Sequence, residues 1–290
     1  MERVINFCSG IGSSALVIQH TELELNSIYI DHPLLIMVNH GHKIVRWENQ
    51  ECIIRPGEIA AINGGQAIDI TNVLSADGVY FSHTLSLDPP LLSAFAQSPE
   101  THILPTVSGV MPIRAPSGEF INAFSYTFKA LTDNNDIPNS IIRHRVEELL
   151  LWLALHGGKF LLKKAETLTE KVRHCLATDP HKIWTAAEVA QRMSMSEVVL
   201  RRKLSAENTI LRNLMIDVRM TSALKMLLST DWPISLISSQ VGYESSSRFA
   251  ERFRKRFGFA PTAIRGHHRP PPTSLVTDSE YKNDFKPSYS

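Results

Sequence analysis

The sequence predicts a multidomain α+β protein: a β-barrel or sandwich domain carrying two helices, then an all-α domain of two helix-turn-helix units. Three observations lead there. Up to about residue 110, short apolar or alternating runs are separated by turn residues, the pattern of a many-stranded β domain. From Gly118 onward the apolar period becomes helical. The charge also divides: residues 1–169 hold 11 Lys+Arg against 17 Asp+Glu, and residues 170–269 hold 17 against 9, so −6 meets +8. That asymmetry is expected when only one domain touches a polyanion. The predicted domains are 1–165 and 166–269, followed by a tail over 270–290 whose Pro270-Pro271-Pro272 and polar composition predict disorder.

The expected strands are Ser27 to Ile30, Leu34 to Val38, Lys43 to Trp47, Cys52 to Ile54, Ile59 to Ile62 and Ala67 to Ile70. Between them stand Asn39-His40-Gly41, Glu48-Asn49-Gln50, Arg55-Pro56-Gly57-Glu58 and Asn63-Gly64-Gly65, residue types that suit turns. Two helices follow. In Gly118 to Leu131 the side chains Phe120, Phe124 and Phe128 step by four. Ser140 to His156 carries Ile142, Val146, Leu149, Leu150 and Leu153 as an apolar stripe, and Gly157-Gly158 stops it. Leu149 to Leu155 is apolar nearly all round, so one face can pack on the β domain while another meets a second subunit. Lys159 to Thr169 reads as the connection, leading into a helix at about Leu168 to Ala177.

The second domain holds one layout twice. Thr185 is the expected N-cap of a short helix with Ala187, Val189, Ala190 and Met193 inward; a turn at Ser194-Met195 follows, and Ser196 caps a helix ending near Glu207. In the second copy Pro233 opens a helix with Ile234, Leu236, Ile237 and Val241 on its apolar side. Gly242 makes the turn, and Ser245 to Ser247 open a helix reaching Arg256. Between the copies, Leu211 to Leu228 forms a linking helix whose Leu214, Val218, Leu224, Leu227 and Leu228 contact both. In such a pair the second helix of each unit can enter the major groove.

Charge supports that use. The first recognition helix carries Arg201, Arg202 and Lys203; the second carries Arg248, Arg252, Arg254, Lys255 and Arg256, five bases against Glu251 alone. Phe249, Phe253 and Phe257 recur every four residues and form the buried stripe, which turns most of the bases outward. Lys203, Arg254 and Lys255 are placed for phosphates.

These residues resemble the DNA-binding domain of AraC/XylS-type transcription regulators. The resemblance lies in Pro233-Ile234, Val241-Gly242-Tyr243-Glu244-Ser245, Phe249, Phe253-Arg254, Phe257-Gly258, Ala260-Pro261 and Ile264-Arg265, with Arg219 and Ala223 on the linking helix. Asn208-Thr209 stand where the family usually has a glycine; Asn tolerates the left-handed conformation a helix stop needs. The resemblance implies that Val198, Arg201 and Arg202 read bases in the first unit and Ser246, Ser247 and Arg252 in the second, with Arg248 beside them. Val198 and Val199 depart from the residues common in the family. Ile53 to Ile59 and Ile62-Asn63 resemble the central hairpin of cupin-like sensor domains. The implied protein is a cytoplasmic transcription activator whose partners are double-stranded DNA and RNA polymerase. Its N-terminal domain would answer to a small-molecule effector or to homodimerisation. The alternatives are control by a protein partner, such as a chaperone or anti-activator, and a cupin-type metalloenzyme with a DNA-binding module.

Other classes find little support. His40-Gly41-His42 with Glu48 and Glu51 falls in a hairpin turn rather than inside a barrel, so neither a metal nor any other cofactor is expected. His20, His32, His83 and His102 show no partner spacing. Cys8, Cys52 and Cys175 lack CxxC spacing and read as free thiols. No apolar leader or membrane-length segment occurs, and no nucleophile elbow, P-loop or dinucleotide fingerprint is present, so no catalytic residue is assigned.

Overall fold

A computed structural model describes residues 2–95, 104–133, 137–160 and 167–265. The expected tail, His102, most of the interdomain connection and the 165/166 boundary lie outside the described residues.

The N-terminal domain has three layers. A six-stranded antiparallel sheet runs in the order β1 (Glu2–Cys8), β2 (Gly12–Gln19), β9 (Tyr80–Leu87), β4 (Leu34–His40), β7 (Ile59–Ile62), β10 (Val110–Ile113). A four-stranded sheet runs β3 (Leu23–Ile30), β8 (Gln66–Val73), β5 (His42–Trp47), β6 (Gln50–Ile54). Among the described residues no ladder joins them, so the domain is a double sheet rather than a closed barrel. The third layer is α2 (Gly118–Thr132) and α3 (Asn139–Leu155), with α1 (Pro89–Phe95) beside them.

The apolar runs follow from these layers. Side chains alternate between faces of a strand, so Ile36 and Val38 of β4 enter the space between the sheets while Leu35 and Met37 meet the helices. The β7 run Ile59-Ala60-Ala61-Ile62 is wholly buried for the same reason. Phe120 and Phe124 of α2, and Ile142, Val146, Leu149, Leu150 and Leu153 of α3, fill the helix-facing core. One polar bond crosses between the sheets, Asn72 Nδ2 of β8 donating to Gln19 Oε1 of β2 at 2.7 Å, and within the four-stranded sheet Lys43 Nζ of β5 donates to the same Asn72 at Oδ1 at 2.6 Å.

The C-terminal domain consists of α4 (Leu168–Ala177), α5 (Ala186–Arg192), α6 (Glu197–Ala206), α7 (Leu211–Ser229), α8 (Ile234–Gln240), α9 (Ser246–Phe257) and α10 (Pro261–Arg265). It has two cores. Leu214 and Val218 of α7 belong to the first; Met220, Ala223, Leu224 and Leu227 belong to the second. Leu228 packs at the edge of the second, so α7 is the common wall of both units. Two expected core positions are corrected. Ala187 is exposed because it lies about 200° round the helix from Val189. Leu236 is 38% exposed, standing off the Ile237–Val241 side.

The domains meet at β3. This strand, which packs against α9, carries a bulge between Leu25 and Ile28, with Ser27 at φ 57°. Ile28 and Phe259 pack against the sheet core and the second helical core alike.

Candidate nucleic-acid interface

Each recognition helix is started by a serine. Ser196 Oγ accepts from the Val199 amide at 3.3 Å to open α6, and Ser245 Oγ accepts from the Arg248 amide at 3.4 Å to open α9. The preceding helix α5 has a capping box between Thr185 and Glu188. Hydrogen bonds from the Thr185 backbone, then Lys182 and the Thr185 hydroxyl, hold the Glu188 carboxyl down at about 2. The turn into α6 uses Ser194 at φ 55°. After α6 the chain stops on Asn208 at φ 56°, so asparagine supplies the left-handed turn where the family uses glycine. Glu207 then reaches back to accept from the Leu168 and Thr169 amides at 3.1 and 2.8 Å, capping α4. Burial opposes ionisation of Glu207, but those bonds lower its pKa.

In α6, Leu200 and Leu204 are buried at 0 and 1% exposure. At 100° per residue Val198 and Arg202 lie opposite them, and Val198 is 76% exposed. Arg201 is exposed on the adjoining flank, where it pairs with Glu197 at 3.1 Å. Lys203 is also exposed but on the side toward α4, where it lines a groove with Lys171, His174 and Arg192. In α9 the buried stripe is Phe249, Phe253 and Phe257. Ser246, Ser247, Arg248, Arg254 and Lys255 are exposed, and Arg252 is half-buried on the flank away from Arg254. Ser247, Arg254 and Lys255 share one shallow groove with Ala250 and Glu251.

The fifth base of α9 belongs elsewhere. Arg256 is held inward, its Nε donating to Asp217 Oδ1 of α7 at 2.6 Å, while Asp217 Oδ2 accepts from Arg173 of α4. One carboxylate thus ties both units to the wall between them. Arg219 adds a second tie, donating to the carbonyls of Pro180, Lys182 and Gly242 at 3.0, 3.1 and 3.3 Å. Gly242, at φ 78°, has no room for a β-carbon against the Arg219 guanidinium. The sequence reading missed Asp217 and Arg173. The signal was present: one acid in the apolar run Leu214-Met215-Ile216-Asp217-Val218 needs a partner where it is buried. The N-terminal domain reaches the same residues. The Arg173 guanidinium lies 4.0 Å from the Tyr29 ring centroid, and Arg256 Nη1 is 3.5 Å from the Asn26 carbonyl oxygen.

Elsewhere, His40 caps the hairpin at Gly41 and pairs with Asp77 at 2.7 Å. Hydrogen bonds from Ser75, then His40, hold the Asp77 carboxyl at about 2. All three cysteines are free and buried. Among the described residues no group of three or more His, Cys, Asp or Glu could hold a metal ion, and no helix is long and apolar enough to cross a membrane.

Comparison with known proteins places both halves. The family model described as a helix-turn-helix domain matches residues 189–267, and the ExsA N-terminal regulatory domain model matches residues 33–163. The chain is 23% identical over 259 residues to the HTH-type transcriptional activator FapR of Escherichia coli, covering 82% of this chain and 94% of FapR. It is 33% identical over 142 residues to the E. coli activator CfaD and 34% over 142 to the E. coli activator AggR, in each case spanning about half of either protein (46% of CfaD, 51% of AggR). ToxT from Vibrio cholerae, solved with an unsaturated fatty acid, shares the fold at a TM-score of 0.67 and 12% identity, over 91% of this chain and 95% of ToxT.

Proposed function

Because this chain belongs to the AraC-type transcription regulators, we propose that it binds double-stranded DNA with both helix-turn-helix units and activates transcription under control of its N-terminal domain. The observation that carries this reading is the pair of exposed faces, Val198-Arg201-Arg202 on α6 and Ser247-Arg248-Arg254-Lys255 on α9, set by one rigid helix and one shared carboxylate. Arg201, Arg202, Ser246, Ser247 and Arg252 read base edges, where arginine pairs with guanine and serine with any base. Val198 offers a thymine methyl an apolar contact. Lys203, Arg248, Arg254 and Lys255 grip phosphates and set the register. RNA polymerase is the partner that activation requires, and the cytoplasm is the compartment. No catalytic step is needed.

The N-terminal domain acts through β3, which touches Arg173 and Arg256, and through Asp31 just after it, which pairs with Lys225. Its input is a small molecule, as the fatty acid held by ToxT suggests, or a second copy of the chain. The outer side of α3 favours the second copy: Ile141, Leu151 and Leu155 are 43, 42 and 77% exposed, and Tyr126 of α2 is 61% exposed. The same apolar side would also suit a protein partner.

The test is selection from a random duplex pool by the full chain over a salt series. Two short motifs about one helical turn apart, with affinity falling steeply in salt, are expected. A single motif would reduce one unit to backbone grip. No salt-sensitive enrichment would refute DNA reading.

A further inference from the structure

The outward face of α9 carries one residue of the wrong sign for a polyanion. Phe249 and Phe253 are fully buried and Phe257 is 1% exposed. At 100° per residue these rings place Glu251 opposite them, at the centre of the exposed face. Ser247 lies one turn before Glu251 and Lys255 one turn after, and all three line the same shallow groove with Ala250 and Arg254. Glu251 to Lys255 is the helical spacing that favours an ion pair. Among the described residues, however, Glu251 takes part in no salt bridge, while Glu197 on α6 is paired with its Arg201 neighbour. The carboxylate therefore stands on the reading face unneutralised.

A carboxylate brought toward phosphates lowers affinity for every DNA sequence alike. On a reading face it gains only where it meets a donor, and ionised it has no proton to give. In the major groove, guanine presents two acceptors, thymine an acceptor and a methyl group, and adenine an amine beside the N7 acceptor. Cytosine alone presents an amine with no acceptor next to it. We propose that Glu251 is a specificity-determining residue of the second unit, accepting a hydrogen bond from cytosine N4 and rejecting the other bases at that position. The proposal rests on the reading of α9 as a DNA-reading helix and adds the acid to the residues assigned there.

The test is selection from a random duplex pool by the full chain as wild type, E251A and E251Q at one salt concentration, followed by affinities for the selected site and for unrelated DNA. The wild type is expected to select a C:G pair at one position of one motif. E251A loses that preference there alone, by roughly 5- to 150-fold, the discrimination one good base-edge pair supplies. It also binds unrelated DNA at least as tightly as the wild type, since a negative charge has gone. E251Q moves the preference toward adenine, whose N6 and N7 an amide pairs with in bidentate fashion. Identical base preferences in wild type and E251A, or a uniform change over all sequences, would overturn the proposal and leave α9 a reader. A wild type that selects no shared motif would instead remove the reading of α9 itself. The position is exposed, so unchanged melting temperatures are expected for both variants and exclude misfolding as the cause.

Discussion

Arg256 Nε donates to Asp217 Oδ1 at 2.6 Å, and through that bond the second recognition helix is fastened to the linking helix. The other carboxylate oxygen holds Arg173 of α4, whose side chain is only 9% exposed. Removing Asp217 leaves two cations in a site with little water. Asp217→Ala should therefore destabilise the protein by roughly 3–5 kcal/mol, the cost of leaving a buried pair half made. Urea unfolding measures it, and a loss under about 1 kcal/mol would mean that water re-solvates the arginines and the tie is weak.

Tyr29 is the N-terminal domain's contribution to the same node. Its ring covers the Arg173 guanidinium and its hydroxyl lies 3.5 Å from Glu170; burial, then the nearby Glu170 charge, pushes the phenol up to about 12. Tyr29→Ala should cost about 1–2 kcal/mol of stability, and Tyr29→Phe a few tenths, because the ring rather than the hydroxyl makes the contact. Lys225→Ala, which breaks a 2.7 Å pair with Asp31 at a lysine 67% exposed, should stay within about 1 kcal/mol. Equal losses for Tyr29→Ala and Lys225→Ala would contradict this ranking.

What could be read in advance followed periodicity and capping. Thr185, Ser196 and Ser245 open the helices of the two units as their residue types predict, because a cap is a local interaction between near neighbours. The β4 and β7 runs were legible as strands, but apolar residues on both faces do not say what covers each face. Strands β2 and β9 were not picked out individually: Ser14, Gln19 and Ser82 are buried polar residues that interrupt the alternation. Among them, Gln19 is held by Asn72, 53 residues away in the chain. Arg256 counted as one more base of a charged helix until α7 brought Asp217 against it, a contact across 39 residues that no local pattern encodes.

Gly258 and Gly57 offer a matched comparison. Both are left-handed, at φ 88° and 81°. A β-carbon at Gly57 meets nothing within 4 Å, whereas at Gly258 it meets the Asn26 side chain of β3 at 3.0 Å. Gly57→Ala should cost about 1–2 kcal/mol from backbone strain alone. Gly258→Ala should cost more, since it also presses on the domain seat. A melting-temperature series of both variants checks the difference, and a smaller loss at Gly258 would show that Asn26 simply moves aside.

The two neighbouring bases of α6 should behave differently on DNA. Arg202 lies opposite the Leu200–Leu204 side, so Arg202→Ala is expected to cost roughly 1–3 kcal/mol on the preferred site and relax one base position. Lys203 faces the α4 groove. Lys203→Ala should weaken all sequences nearly uniformly and lower the salt slope by about one. Competition binding on preferred and scrambled duplexes separates them, and a uniform loss at Arg202 would demote it to a phosphate contact.

His83 supplies a pH dependence with a definite sign. Its ring on β9 lies 4.8 Å from the Phe81 centroid and 4.2 Å from that of Phe128 on α2, and burial lowers its pKa from 6.5 to about 4. Between those values the unfolded chain binds a proton that the folded one refuses, so stability rises with pH across that window. The neutral ring's contribution is complete above about pH 6.5 and is lost as pH falls toward 4, by up to about 3 kcal/mol at 1.36 kcal/mol per unit. Glu188 and Asp77 have lowered pKa values as well, but their unfolded values of 4.5 and 3.8 place their losses at the acid end and below. His83→Phe keeps an aromatic ring against Phe128 and removes the proton site. Melting temperatures from pH 7.5 to 4.5 should therefore fall in the wild type and stay nearly level in His83→Phe. Parallel curves for the two proteins would show that some other group carries the acid sensitivity.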